Sequence, residues 1–151
     1  MYIDVDYFLR KERKGVIKLI QVNYVAVLLA AVSAMVIGSI WYGPLFGKAW
    51  MKLTGVSKED VNKKEMPKLY GIMFLGALVE GYILSHFIHY AGAYTVFDGA
   101  KTGVWAWLGF VAATMLGSYL FAKRPVKLFY IDAGYALVNL MVMGAIIASM
   151  F

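Results

Sequence analysis

Charge is confined to a few short stretches of this chain, and that confinement limits its fold more than any other feature. No Asp, Glu, Lys or Arg occurs in residues 19–47, 102–122 or 133–151, and residues 69–97 contain one, Glu80. A helix crosses the roughly 30 Å hydrocarbon core with about 20 apolar residues. Each charge-poor stretch is long enough, so the pattern predicts four transmembrane helices. A soluble helical core would need polar faces recurring near every 3.6 residues, and these segments lack them. Composition agrees. Only 16% of the 151 residues are charged, against about 25% in a typical soluble domain.

The prolines punctuate the same reading. Pro44 closes the first span, Pro67 opens the second, and Pro125 lies in the turn between the third and fourth, all positions that suit proline. The expected spans are residues 24–45, 68–90, 103–122 and 127–150 of one transmembrane domain, residues 22–151. The fold class is therefore all-α, an antiparallel bundle of four membrane helices. The polar segment 47–67 begins with Lys48-Ala-Trp-Met-Lys-Leu-Thr54, which mixes lysines with bulky apolar residues and stops at Gly55. It reads as a short helix in the membrane interface. Ser57-Lys-Glu-Asp60 has the spacing of a capping box. No Gly/Pro-interrupted helix pair of the kind many transporters use is evident.

Orientation follows from Lys and Arg. Segments 47–67 and 123–127, with the flanking Lys68, carry nine, and the opposite side carries six, five of them in residues 1–21. Without those 21 residues the count becomes nine against one, which puts segments 47–67 and 123–127 in the cytoplasm and both termini outside a plasma membrane. Two readings of residues 1–21 stay open. One is a basic amphipathic arm on the membrane. The other is an extension upstream of a true start at Val22, because Arg10-Lys-Glu-Arg-Lys-Gly-Val-Ile-Lys18 resembles a translated ribosome-binding sequence.

Glu80 is the candidate centre. An ionisable group at membrane depth is costly, by about 3 kcal/mol or more, and usually functional. Counting 1.5 Å per residue places it about 18 Å into its span. The same arithmetic puts Ser33, Thr114 and Asn139 at similar depth in the other three spans. They are expected to form a buried polar layer, read either as a proton- or cation-binding site with Asn139 partnering Glu80, or as a structural cluster that fixes packing. Small residues predict close helix approach: Ala77, Gly81 and Ser85 in the second span, Gly109, Ala113 and Gly117 in the third, with shorter pairs at Ala34/Gly38 and Gly144/Ala148. These faces also predict a homo-oligomer.

Trp41, Tyr42, Trp50 and Trp105 are expected to anchor the interfaces, with Trp107 and Tyr130 in the same aromatic belt. Asp132, near the start of the fourth span, is expected either to form an interfacial ion pair with Arg124 or Lys127 or to serve as a helix-start charge. His86 and His89 share a helix face but lack further ligands nearby, so no metal site is expected, and they are read as interfacial neighbours of Tyr90 and Tyr94. With no cysteine, thiolate chemistry is excluded. No phosphate loop, nucleophile elbow or cofactor motif occurs, so neither an enzyme nor a cofactor is expected. The basic residues lie beside the spans, where they meet headgroups of the lipid bilayer, rather than on a platform for nucleic acid.

Several stretches carry a resemblance. Asn23-Tyr-Val-Ala-Val, Gly38-Ser-Ile-Trp-Tyr-Gly-Pro-Leu-Phe-Gly-Lys-Ala-Trp-Met51, Trp105 with Leu108-Gly-Phe110, Arg124-Pro-Val-Lys-Leu-Phe129 and Ile131-Asp-Ala-Gly-Tyr135 resemble domain of unknown function family 1761. The resemblance runs over residues 23–151 and departs at Gly43, where the family tends to have Ser. It implies an integral membrane protein with about four spans and implies no activity. The expected function is a small oligomeric transporter or channel-like protein with an intramembrane carboxylate, or else a structural or accessory membrane protein.

Overall fold

The structure is a computed structural model that describes residues 20–57, 59 and 62–151. The basic N-terminal stretch is almost wholly outside these residues, and the capping box at Ser57–Asp60 depends on two residues outside them. Among the described residues the regular structure is all helical: α1 (Tyr24–Ile40), α2 (Gly47–Thr54), α3 (Met66–Tyr90), α4 (Val96–Ala106), α5 (Ala113–Phe121) and α6 (Val126–Ala148). Two wide π-helical turns, Trp41–Leu45 and Trp107–Ala112, extend α1 and join α4 to α5. Four continuous helices are long and apolar enough to span a membrane: Tyr24–Leu45, Met66–Tyr90, Val96–Phe121 and Val126–Ala148.

Local chemistry explains the ends. Asn23 caps α1, its side-chain oxygen accepting from the Val25 and Ala26 N–H groups at 3.1 and 3.1 Å. Its amide donates across the molecule to the Met150 carbonyl at 2.8 Å. Gly55 ends α2 in the left-handed conformation, φ +75°, and its N–H reaches the Met51 carbonyl at 2.9 Å. The third span begins at Val96 rather than at the expected Gly103. Thr95 Oγ1 accepts from the Asp98 N–H at 3.1 Å and donates to Asp98 Oδ2 at 2.7 Å. Asp98 and Lys101, 3.6 Å apart, form an ion pair along the helix. These charges sit in the first turns, where a cap, the helix dipole and the i,i+3 partner accommodate them.

The fourth span packs against the other three, and the first and second pack against each other. Where the first, second and fourth meet, the core is built from Ala26, Ala30 and Ala34 of α1, Ala77 and Leu84 of α3, and Leu140, Met143 and Ile147 of α6. The small residues of α1 recur every four positions, so one face comes close to its neighbours. Ala77, Gly81 and Ser85 are buried on the second span. A methyl group on Gly81 would meet Met143 Cε at 3.2 Å and Val27 Cγ1 at 3.4 Å.

The third span docks differently from expectation. Gly109, Ala113 and Gly117 do not pack within the chain: neither glycine has an atom near its Cβ position, and Ala113 is exposed. Docking uses Gly99 and Gly103 instead. A Cβ on either would strike a backbone carbonyl of α6, that of Gly144 or of Leu140. Among the four spans the third is the least covered by the rest of the chain.

Candidate functional site

The fourth span carries the chain's polar machinery on one face. Asp132, Tyr135 and Asn139 stand at i, i+3 and i+7, so they align along α6 over about 10 Å. The residues facing them come from the other three spans and divide into two clusters.

At the first cluster, near the start of α6, Asp132 accepts hydrogen bonds from two tyrosines. Tyr42 of the first span donates to Oδ1 at 2.9 Å, and Tyr119 of the third donates to Oδ2. The expected pairing of Asp132 with Arg124 or Lys127 is not what forms. Asp132 lies on the helix face that also buries Leu128, which turns it toward the bundle, whereas the Arg124 guanidinium sits over the Tyr119 ring, 5.4 Å from its centroid. Tyr135 packs on Tyr42 with ring centroids 5.1 Å apart, and Gly38 makes room for its hydroxyl, 3.3 Å from the position a Cβ would take.

Two of the expected interface anchors also turn inward. The Trp41 indole N–H donates to the Ile131 carbonyl at 3.0 Å, and Tyr42 serves Asp132. Trp107, expected in the same belt, donates to the Ala133 carbonyl at 2.8 Å. An indole N–H is a donor only, and a carbonyl oxygen with a spare lone pair is the partner available inside an apolar bundle. Trp105 points outward and Trp50 is half-buried, 5.8 Å edge-on from Tyr42.

Trp41 and Trp107 each open a wide π-helical turn within a span that stays helical throughout. In the first, Pro44 has no N–H to give to the carbonyl of Ile40. The ladder re-registers, and the Phe46 N–H bonds the Trp41 carbonyl at 2.8 Å. Gly47 follows because a Cβ there would strike the Tyr42 carbonyl. The second wide turn, Trp107–Ala112, contains no proline. Both begin Trp-x-Gly, Trp41-Tyr-Gly43 and Trp107-Leu-Gly109, a shared local signal that the hydropathy reading passed over.

The second cluster lies two turns further along α6. Asn139 is 3% exposed, and its Nδ2 donates to Glu80 Oε2 at 3.1 Å. Among the described residues Asn139 Oδ1 has no hydrogen-bond partner. Glu80 is half-buried and lines a cleft of about 410 Å³ between the second and third spans, with Val79, Ile83, Phe87, Phe110 and Leu140 among its walls.

The expected four-membered layer is thus reduced to a pair. Ser33 donates to the Ala30 carbonyl of its own helix at 2.7 Å, and Thr114, which is exposed, donates to the Phe110 carbonyl at 2.7 Å. A Ser or Thr hydroxyl can be satisfied one turn back along its own helix, so depth alone does not recruit it. His86 Nδ1 lies 2.8 Å from the Tyr82 carbonyl, and His89 is ringed by Tyr90, Tyr94 and Phe151 at 6.0–6.3 Å between centroids. Among the described residues no three of His, Cys, Asp and Glu come together as metal ligands would.

No curated protein and no solved structure matches the sequence. The model of a family described as protein of unknown function (DUF1761) matches residues 25–148, which is most of the chain. The chain therefore belongs to the DUF1761 family, and its four apolar helices make it a multi-pass membrane protein.

Proposed function

We propose that this protein is a small, non-enzymatic, oligomeric transporter or channel-like protein of the plasma membrane, in which Glu80 binds a proton or cation and Asn139 positions it. The observation that carries this reading is the Glu80–Asn139 hydrogen bond at mid-span, beside a cleft that Glu80 lines. A carboxylate at that depth with one neutral partner retains lone pairs for a cation. The wide turns in the first and third spans add support, since π-helical turns inside a helix recur at functional sites.

The oligomer is supported by the uncovered small-residue face at Gly109, Ala113 and Gly117. The bonds of Asn23 to Met150 and of Trp41 to Ile131 support an antiparallel arrangement of the first and fourth spans. Lysines on α2 support its placement in the interface, and the nine Lys and Arg of segments 47–67 and 123–127 with Lys68 support a cytoplasmic location for that end. Because the chain has no cysteine, single cysteines can report topology directly. A membrane-impermeant thiol reagent is expected to label a cysteine at Asp98 in intact cells and to spare one at Lys123; the reverse pattern defeats the orientation.

The hydrogen bond between α3 and α6 also favours a second reading, a structural tie in an accessory membrane protein. Flux in proteoliposomes under a pH gradient separates the two. Gradient-dependent flux that disappears in Glu80→Gln while assembly is unchanged supports transport. Absence of flux in the wild type, with Glu80→Ala dissociating the oligomer and Glu80→Gln preserving it, rejects transport in favour of the structural tie.

A further inference from the structure

Building on the cation-binding reading of Glu80, we infer that the cleft between the second and third spans takes a lipophilic ammonium ion, a cation with N–H donors on an apolar body, entering sideways from the lipid. The cleft is apolar except at one end. Val79, Ile83, Phe87 and Phe110 form its outer walls, and all four are exposed on the side of the chain. In a bilayer that side faces acyl chains, so a ligand that reaches Glu80 from there dissolves in lipid first. Phe87 and Phe110 stack across the gap, 5.9 Å between centroids and 17° from parallel, and present flat apolar surface to a ring or chain. The volume, about 410 Å³, suits a small organic molecule.

The polar end selects the head group. It offers acceptors on one group, the remaining lone pairs of the Glu80 carboxylate, the charged side chain in the cleft wall. The Asn139 amide already donates to Glu80. An occupant that satisfies this end brings N–H donors and a positive charge together. A primary ammonium does both, and its hydrogen bonds to the carboxylate are charge-assisted. A quaternary ammonium brings the charge without the donors and forgoes those charge-assisted hydrogen bonds to Glu80.

A second groove supplies the internal comparison. It lies between the first and second spans, is also about 410 Å³, and is lined by Val32, Met35, Val36, Ile40 and Phe74 with the neutral polar groups of Ser39 and Tyr70. It carries no charge, so it holds apolar chains without selecting a cation.

The test is calorimetric titration of 4-phenylbutylammonium at pH 7 into the protein in lipid nanodiscs, with empty discs as the blank. Saturable binding above the blank is expected. Binding of 4-phenylbutyltrimethylammonium, and binding of the primary amine to Glu80→Gln, are each expected to be weaker by about tenfold or more, the equivalent of one charge-assisted hydrogen bond. Val79→Trp fills the cleft without touching the carboxylate and is expected to abolish binding; Val36→Trp, in the uncharged groove, is expected to leave it unchanged. Val79→Trp decides the matter if Glu80→Gln does not assemble. Equal binding of the two ammonium ions, undiminished binding in Val79→Trp, or no saturable binding at all overturns the inference. If binding is absent while Glu80-dependent flux persists, the ligand class falls and the cation reading of Glu80 stands.

Discussion

Gly103→Val is expected to undock the third span from the fourth and to remove most of the folded protein. The Gly103 Cβ position falls well inside van der Waals contact with the Leu140 carbonyl and 3.0 Å from the Met141 nitrogen, so the obstacle is backbone and cannot rotate away. Gly99 stands in the same relation to Gly144, and Gly144 in turn to Gly99. Between helices in lipid there is no hydrophobic drive to restore contact once the backbones are held apart. Overpacking typically destabilises by about 1–3 kcal/mol, and an obstacle of backbone puts this site at the upper end, a large part of the roughly 5–15 kcal/mol that holds a domain together. The measurement is the fraction of monodisperse protein after extraction and its thermal aggregation midpoint. Gly109→Leu and Gly117→Leu are the contrast. Both positions open onto free space within one chain, so folding of the single chain should survive. If that face joins subunits, native mass spectrometry will show these variants as smaller assemblies than the wild type. Wild type that is monomeric in native-like lipid would reject the oligomer, and a fully stable Gly103→Val would reject the docking described for the third span.

Asp132→Ala is expected to be nearly as damaging. Its carboxylate ties the first and third spans to the fourth through Tyr42 and Tyr119. Truncation leaves two tyrosine hydroxyls without their acceptor, each at about 1–3 kcal/mol. Asp132→Asn keeps an acceptor oxygen and should recover most of the loss, because the partners are neutral hydroxyls and not cations. If Asp132 worked through an ion pair with Arg124 or Lys127, Asn would be as harmful as Ala. Tyr42→Phe and Tyr119→Phe remove one bond each, and combining either with Asp132→Ala should add little. Unfolding midpoints of these six variants in one detergent provide the comparison.

These two sites mark where sequence reading stopped. Four membrane helices were legible from residue order because hydropathy and charge act locally: a charge-free run long enough to cross a bilayer is recognisable without knowing its neighbours. Pro44, Gly55, Pro67 and Pro125 marked helix ends or turns for the same reason. The start of the third span was legible too, in Thr95-Val-Phe-Asp98, but Asp98 and Lys101 hid it from a reading that counted charges. The depth of Glu80 and Asn139 also followed from counting, and a carboxylate and an amide have strong reasons to meet where neither finds water. Ser33 and Thr114 had no such need, since the preceding turn of helix satisfies a hydroxyl.

What residue order left open was the direction each helix faces. In a soluble protein, water writes a polar stripe on the outward side; in lipid both sides are apolar, so the inward face carries little periodic signal. Gly99 and Gly103 were therefore passed over for Gly109, Ala113 and Gly117, and Asp132, Trp41 and Tyr42 were placed at the interface when they point into the bundle. Only the assembled spans decide which glycine meets a carbonyl and which carboxylate meets a tyrosine, because those choices depend on groups some 13 to 90 residues apart in the chain.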